Sequence, residues 1–161
     1  MTSSQYKYPY LDSSVFIGWI KGEKNGITDR KDIADHILKL AENGTFKICA
    51  SALTLAEVHK KRGSPQLSAD EDRRILEFFE HEFIDIVDID RTIGEQANRL
   101  CRQYPIRPND AIHLACALKA KCDVLLTWDN PLASVQHPDI VIENPRKIGQ
   151  LNLLDAPSKE T

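Results

Sequence analysis

YPYLDSSVFIGWI, residues 8–20, sets an acid at the joint between two apolar segments. Tyr8, Tyr10 and Leu11 read as the end of a buried strand. Val15, Phe16, Ile17, Trp19 and Ile20 read as the apolar side of a helix from about Ser13 to Lys21. Asp12 stands between them, and a charge at the edge of a core is costly unless something pairs with it. The stretch therefore predicts a strand, a sharp entry into a helix, and a partner for Asp12.

The same alternation continues downstream. GEKNGITD (22–29) punctuates. RKDIADHILKLAENG (30–44) is an amphipathic helix, with Ile33, Ile37, Leu38 and Ala41 at helical spacing and Asn43-Gly44 as a stop. TFKICAS (45–51) reads as a strand and LTLAEVHKKRG (53–63) as a helix, with Thr54 a candidate cap. After the loop GSPQLS (63–68), ADEDRRILEFFEHE (69–82) predicts a helix and FIDIVDID (83–90) a strand. RTIGEQANRLCRQY (91–104) is helical and is broken by PIRP (105–108), since proline disfavours helix in the residue before it. NDAIHLACALKAKC (109–122) is a helix and DVLLTW (123–128) a strand. DNPLASVQHPD (129–139) is a loop or short helix, and IVIENP (140–145) a last strand. Strands separated by helices imply a mostly parallel sheet covered on both faces, a three-layer α/β domain.

Bulk composition narrows the function. The 161 residues, 42% hydrophobic, fit one domain over residues 1–161, with no internal repeat or linker. A net charge of -3 argues against a protein that coats itself in nucleic acid, although a local basic surface is hidden in the sum. Cys49, Cys101, Cys116 and Cys122 are scattered without a C-x-x-C pair, which reads as reduced thiols rather than a zinc site. The N-terminus lacks a signal-peptide pattern, and no apolar run approaches the roughly 20 residues that span a bilayer. The expectation is a cytoplasmic protein without a membrane segment.

In open α/β sheets ligands bind beyond the carboxyl ends of the strands. Asp12 follows the first strand, Glu57 lies in the helix after FKICAS, Asp129 follows DVLLTW, and Asp110 opens the helix after PIRPN, where Asn109 or Asp110 can cap free N–H groups. Each has a plainer explanation: Asp110 as a complement to the helix dipole, Asp129 as a turn former before proline, Glu57 as a solvated helix residue. Their joint occurrence at one sheet edge shifts the balance. Two carboxylates about 4 Å apart repel by roughly 4 kcal/mol at an effective dielectric near 20, so a gathered set holds either protons or a cation. Oxygen ligands without Cys or His favour Mg²⁺ or Mn²⁺ over zinc.

LDSSVFI, SALTLAEV, PNDAIHLACAL and DVLLTWDN together resemble the four acidic blocks of the PIN-domain ribonucleases, most of all the VapC-type toxins of toxin–antitoxin pairs. The resemblance runs from about Tyr8 to Ile142, a core of about 8–142 with a C-terminal extension of 143–161. It implies a PIN-like sheet of about five strands and an acidic pocket holding Mg²⁺ or Mn²⁺. It also implies metal-dependent cleavage of RNA, leaving 5′-phosphate and 3′-hydroxyl ends. Asp12, Glu57 and Asp110 match the three central acids and Asp129 the fourth, more variable one. Ser14 and Thr127 fall where hydroxyl residues accompany the acids, and Asn109 and Asn130 are further supports. Trp128 departs from the small or polar residue expected beside the fourth acid, and Leu132 from an aromatic. The resemblance further implies a protein antitoxin as partner and a homodimer.

Lys60, Lys61, Arg62 and Arg107 are candidate RNA backbone contacts, although HKKRG equally suits a helix C-terminus complementing its dipole. Trp128 can stack a base or pack on the core. His113, one turn from Asp110, either reaches the pocket or is a satisfied structural histidine. Trp19, Phe78 and Phe79 suggest an apolar patch for a partner. Three other functions stay open: a non-toxin PIN nuclease, a silent PIN-like RNA-binding module, and a receiver-like phosphoryl-transfer domain. LDSS lacks the paired acids that the last expects.

Overall fold

A computed structural model of the protein describes residues 6–21, 24–25, 28–58 and 67–147. Its first half runs β1 (Pro9–Leu11), α1 (Ser13–Lys21), β2 (Lys24–Asn25), β3 (Thr28–Asp29), α2 (Arg30–Glu42), β4 (Ile48–Ser51) and α3 (Ala52–Glu57). Its second half runs α4 (Ala69–Phe78), β5 (Ile84–Val87), α5 (Arg91–Gln103), α6 (Pro108–Lys119), β6 (Val124–Leu126), α7 (Asn130–Ala133) and β7 (Val141–Glu143). Five strands form one sheet in the order β5-β4-β1-β6-β7, and every pairing in it is parallel.

The three inner strands, β4, β1 and β6, are buried along their length because both faces of the sheet are covered there, and alternation sends successive side chains to opposite layers. Tyr10, Cys49, Leu125 and Ile142 join one buried cluster with Ile93, Ala97 and Leu100 of α5 and Ala111, Leu114 and Ala115 of α6. Their neighbours Leu11, Ile48, Ala50, Val124 and Leu126 join the other, with Val15 and Phe16 of α1, Ala34, Ile37 and Leu38 of α2, and Phe79. The result is a three-layer α/β/α sandwich whose middle strand, β1, delivers the chain into α1 through Asp12.

Several local expectations are corrected. Residues 22–29 do more than punctuate: β2 and β3 pair antiparallel, Lys24 with Asp29 and Asn25 with Thr28. Thr54 is not the cap of its helix; Ser51 holds that position, and the Thr54 hydroxyl accepts from the Ser51 N–H at 3.4 Å. The helix after β4 spans Ala52–Glu57 with Val58 as its C-cap, and residues 59–63 of the expected helix lie outside the described residues. Neither Asn109 nor Asp110 caps α6. Arg107 is the N-cap residue and Pro108 opens the first turn, because proline's missing N–H costs nothing there.

Candidate active site

Asp12 emerges from the carboxyl end of β1, and its own N–H donates to the Leu126 carbonyl of neighbouring β6 at 3.1 Å. Its carboxylate is 3% exposed as part of the whole residue, and donors compensate that burial. Oδ1 accepts from the Ser14 N–H at 3.0 Å and from the Ser14 hydroxyl, while Oδ2 accepts from the Thr127 hydroxyl. Both hydroxyls are themselves oriented: Ser14 Oγ accepts from the Trp128 N–H and Thr127 Oγ1 from the Asp129 N–H, each at 2.9 Å. Ser14 and Thr127 thus both donate to Asp12 while being held in place themselves. A carboxylate has about four acceptor sites, so Asp12 keeps one lone pair, on Oδ2. Burial pushes its carboxyl above the usual range, against the pull of His113, Ser14 and Thr127.

Asp110 and Asp129 form a second unit. Asp110, in the first turn of α6, is buried at 6% exposure, and Asp129 is the N-cap of α7, its Oδ2 accepting from the Leu132 N–H at 3.4 Å. The turn explanation of Asp129 is therefore true, and the residue still reaches the other acids. Burial, then a hydrogen bond and repulsion from Asp129, push the Asp110 carboxyl up to about 6. Arg107 opposes this by bridging the pair, with Nε 3.4 Å from Asp110 Oδ2 and Nη2 3.4 Å from Asp129 Oδ1.

Glu57 closes the group from the end of α3. Its Oε1 accepts from the Ser13 hydroxyl at 2.7 Å and lies 2.8 Å from His113 Nε2, while Asn109 Nδ2 stands 3.4 Å from Oε2. Burial acts to raise this carboxyl, but His113 and Ser13 outweigh it and hold the acid below its usual range. His113 is buried, with Nδ1 2.7 Å from the Tyr10 hydroxyl. A tyrosine hydroxyl donating to Nδ1 leaves Nε2 as the protonated nitrogen, the tautomer that can donate to Glu57. His113 is thus at once a satisfied core residue and a member of the site. Ser13 was not among the expected residues, although the run DSS carries the signal.

The remaining candidates separate. Asn130 is exposed at the start of α7, and its carbonyl accepts from the Ser134 hydroxyl at 2.8 Å. Trp128 packs against the α1/α2 layer with the Arg30 guanidinium 4.8 Å from its ring centroid, so core packing is its observed role. Lys60, Lys61 and Arg62 lie outside the described residues. Phe79 is buried, 4.9 Å from Phe16 ring to ring, and does not belong to a surface patch. Trp19 and Phe78, tilted at 44° with ring centroids 4.8 Å apart, do line a groove of about 440 Å³ with Ile20 and Ile75, flanked by Lys31 and Arg74.

Among the described residues, no group of three or more Asp, Glu, His or Cys side chains is disposed to hold a metal ion by itself. The donor set suits an ion that needs no such group. Magnesium keeps several waters and takes one or two carboxylates; Asp12 keeps acceptor capacity on Oδ2, and the Asp110 carboxyl near it is raised first by burial and then by Asp129.

Residues 10–138 match the PIN domain family. The chain belongs to it. No curated protein sequence matches this PIN domain. Solved structures share its fold: a toxin–antitoxin complex from Klebsiella pneumoniae is 20% identical, with a TM-score of 0.61 over 87% of this chain and 99% of that one. VapC20 of Mycobacterium tuberculosis, a toxin that cleaves the sarcin–ricin loop, is 13% identical, with a TM-score of 0.58 over 83% and 98%. VapBC2 of Rickettsia felis, bound to a promoter DNA fragment, is 18% identical, with a TM-score of 0.57 over 86% and 99%. Among the described residues of this PIN domain, no helix is long and apolar enough to cross a membrane.

Proposed function

We propose that this PIN domain is a Mg²⁺- or Mn²⁺-dependent endoribonuclease, the cytoplasmic toxin of a VapBC-type pair. The observation that carries the reading is the gathering of Asp12, Asp110 and Asp129 beyond the carboxyl ends of β1 and β6, with Glu57 held nearby by Ser13, His113 and Asn109. Asp12, Asp110 and Asp129 would hold the ion. When bound, it lowers the pKa of a water and offsets charge developing on the phosphate oxygens. Glu57, held by Ser13, His113 and Asn109 and kept ionised, orients the attacking water and accepts its proton. Ser14 and Thr127 fix the Asp12 rotamer, as outer hydrogen bonds do for metal ligands generally.

The groove of Trp19, Ile20, Ile75 and Phe78 supports a protein antitoxin as partner, since an apolar trough flanked by Lys31 and Arg74 suits an amphipathic segment. A homodimer belongs to the same reading. Purified protein incubated with single-stranded and looped RNA, including the sarcin–ricin loop, in Mg²⁺, Mn²⁺ and EDTA tests the activity. Cleavage that requires metal and disappears in Asp12→Asn supports it. A folded protein that binds no divalent ion sinks it, and unaltered cleavage by Asp12→Asn removes Asp12 from the mechanism.

A further inference from the structure

Arg107 makes contacts that are easily exchanged. Its side chain is 75% exposed, whereas those of its partners are 9% and 22% exposed for Asp110 and Asp129. It spends one nitrogen on each acid at 3.4 Å, longer than the 2.7–2.9 Å of a firm charged hydrogen bond and without the parallel fork that makes such pairs strong. Its backbone is fixed as the N-cap of α6 ahead of Pro108, so only the side chain has freedom to move. The guanidinium therefore hangs over the mouth of the acidic group from the solvent side.

We propose that Arg107 is an exchangeable counter-ion: its guanidinium bridges Asp110 and Asp129 in the metal-free protein, yields them to a divalent ion, and then grips an RNA phosphate beside the site. The inference rests on the reading above and adds a positioning residue to it. One guanidinium carries a single positive charge against two carboxylates, each held at 3.4 Å, and a doubly charged ion balances them better. Once displaced, the same planar fork matches two phosphate oxygens, a geometry that a lysine does not reproduce. The acids that hold the metal thereby store the arginine until metal arrives, and phosphate gripping becomes conditional on metal.

Calorimetry with Mn²⁺ alone, and fluorescence anisotropy with a short single-stranded RNA in EDTA and in Mn²⁺, test this on wild type, Arg107→Gln and Arg107→Lys. Arg107→Gln should bind Mn²⁺ roughly three- to tenfold more tightly, because a competing cation is gone. The same variant should bind RNA roughly three- to tenfold more weakly in Mn²⁺, with a shallower salt dependence, yet within about twofold of wild type in EDTA. Arg107→Lys should restore the Mn²⁺ affinity toward wild type without restoring RNA binding fully. Unchanged or weaker Mn²⁺ binding by Arg107→Gln overturns the exchange. Equal loss of RNA affinity with and without metal reduces Arg107 to an ordinary phosphate contact and overturns it as well. Failure of the wild type to bind Mn²⁺ at all removes the nuclease reading itself, a different result from either of these.

Discussion

Of the buried side chains around the acids, His113 has the most to lose by truncation. It serves the Tyr10 hydroxyl on one nitrogen and Glu57 on the other, with Ser13 Oγ also within 3.2 Å. His113→Ala strands a buried hydroxyl and removes the main donor to Glu57, so the expected loss is about 1–3 kcal/mol per orphaned group. Urea unfolding at neutral pH measures it, and a stability equal to wild type would show that water replaces the ring at no cost. Ser13→Ala leaves no comparable orphan, because its hydroxyl is a donor to a carboxylate that keeps other partners. Stability should change by about 1 kcal/mol or less, while cleavage, if Glu57 orients water, falls more than unfolding stability does.

At the scale of elements, two helix ends share the left-handed conformation and differ in residue. Gly44, at φ 83°, follows the C-cap of α2, and Lys121, at φ 60°, follows that of α6. A Cβ at Gly44 meets nothing within 4 Å, so the cost of Gly44→Ala is conformational, about 1 kcal/mol. Lys121→Gly should do the reverse and stabilise by a similar amount, about 1 kcal/mol. Thermal unfolding of both variants checks the pair of signs, and a destabilised Lys121→Gly would mean that the lysine side chain contributes more than its backbone costs. Element identity was legible wherever apolar spacing ran long, as in α2, α5 and α6. The β2/β3 pair was not, because two residues per strand bury too little to impose a pattern. The division of labour between Ser13 and Ser14 was equally hidden: adjacent residues differ by about 100° around α1, and only the placement of α3 decides which hydroxyl meets Glu57 and which meets Asp12. The four acids stood out in the sequence because Asp12 and Asp129 follow strands, Asp110 lies in the first turn of a helix and Glu57 lies in the helix after β4, whereas Arg107's hold on two of them depends on how α6 and α7 converge.

For the whole molecule, the acids set a pH dependence whose sign follows from their shifts. Asp110 titrates near 6 when folded and near ~3.9 when unfolded, so between these values the native state holds a proton that the unfolded chain has released. Stability in EDTA should then fall as pH rises through that window, by at most about 3 kcal/mol, and level off above it. Glu57 works oppositely: its lowered carboxyl contributes stability that is present above about pH 4.3 and lost on further acidification. A melting temperature in EDTA that peaks near about pH 5 is the expected profile, and Asp110→Asn should flatten its alkaline limb. A flat wild-type profile from mildly acidic to mildly basic pH would remove the repulsion between Asp110 and Asp129. The acids also sit on scaffolding of unequal endurance. Asp12's amide bonds the Leu126 carbonyl of β6 beside the middle strand, and it should exchange with solvent at a high opening free energy. Glu57 ends a helix of six residues, which closes few hydrogen bonds of its own and exchanges at a lower free energy. On the proposed mechanism, loss of α3 alone would remove the carboxylate that aims the water while the Asp12 amide stays protected: the molecule could be disarmed without being unfolded.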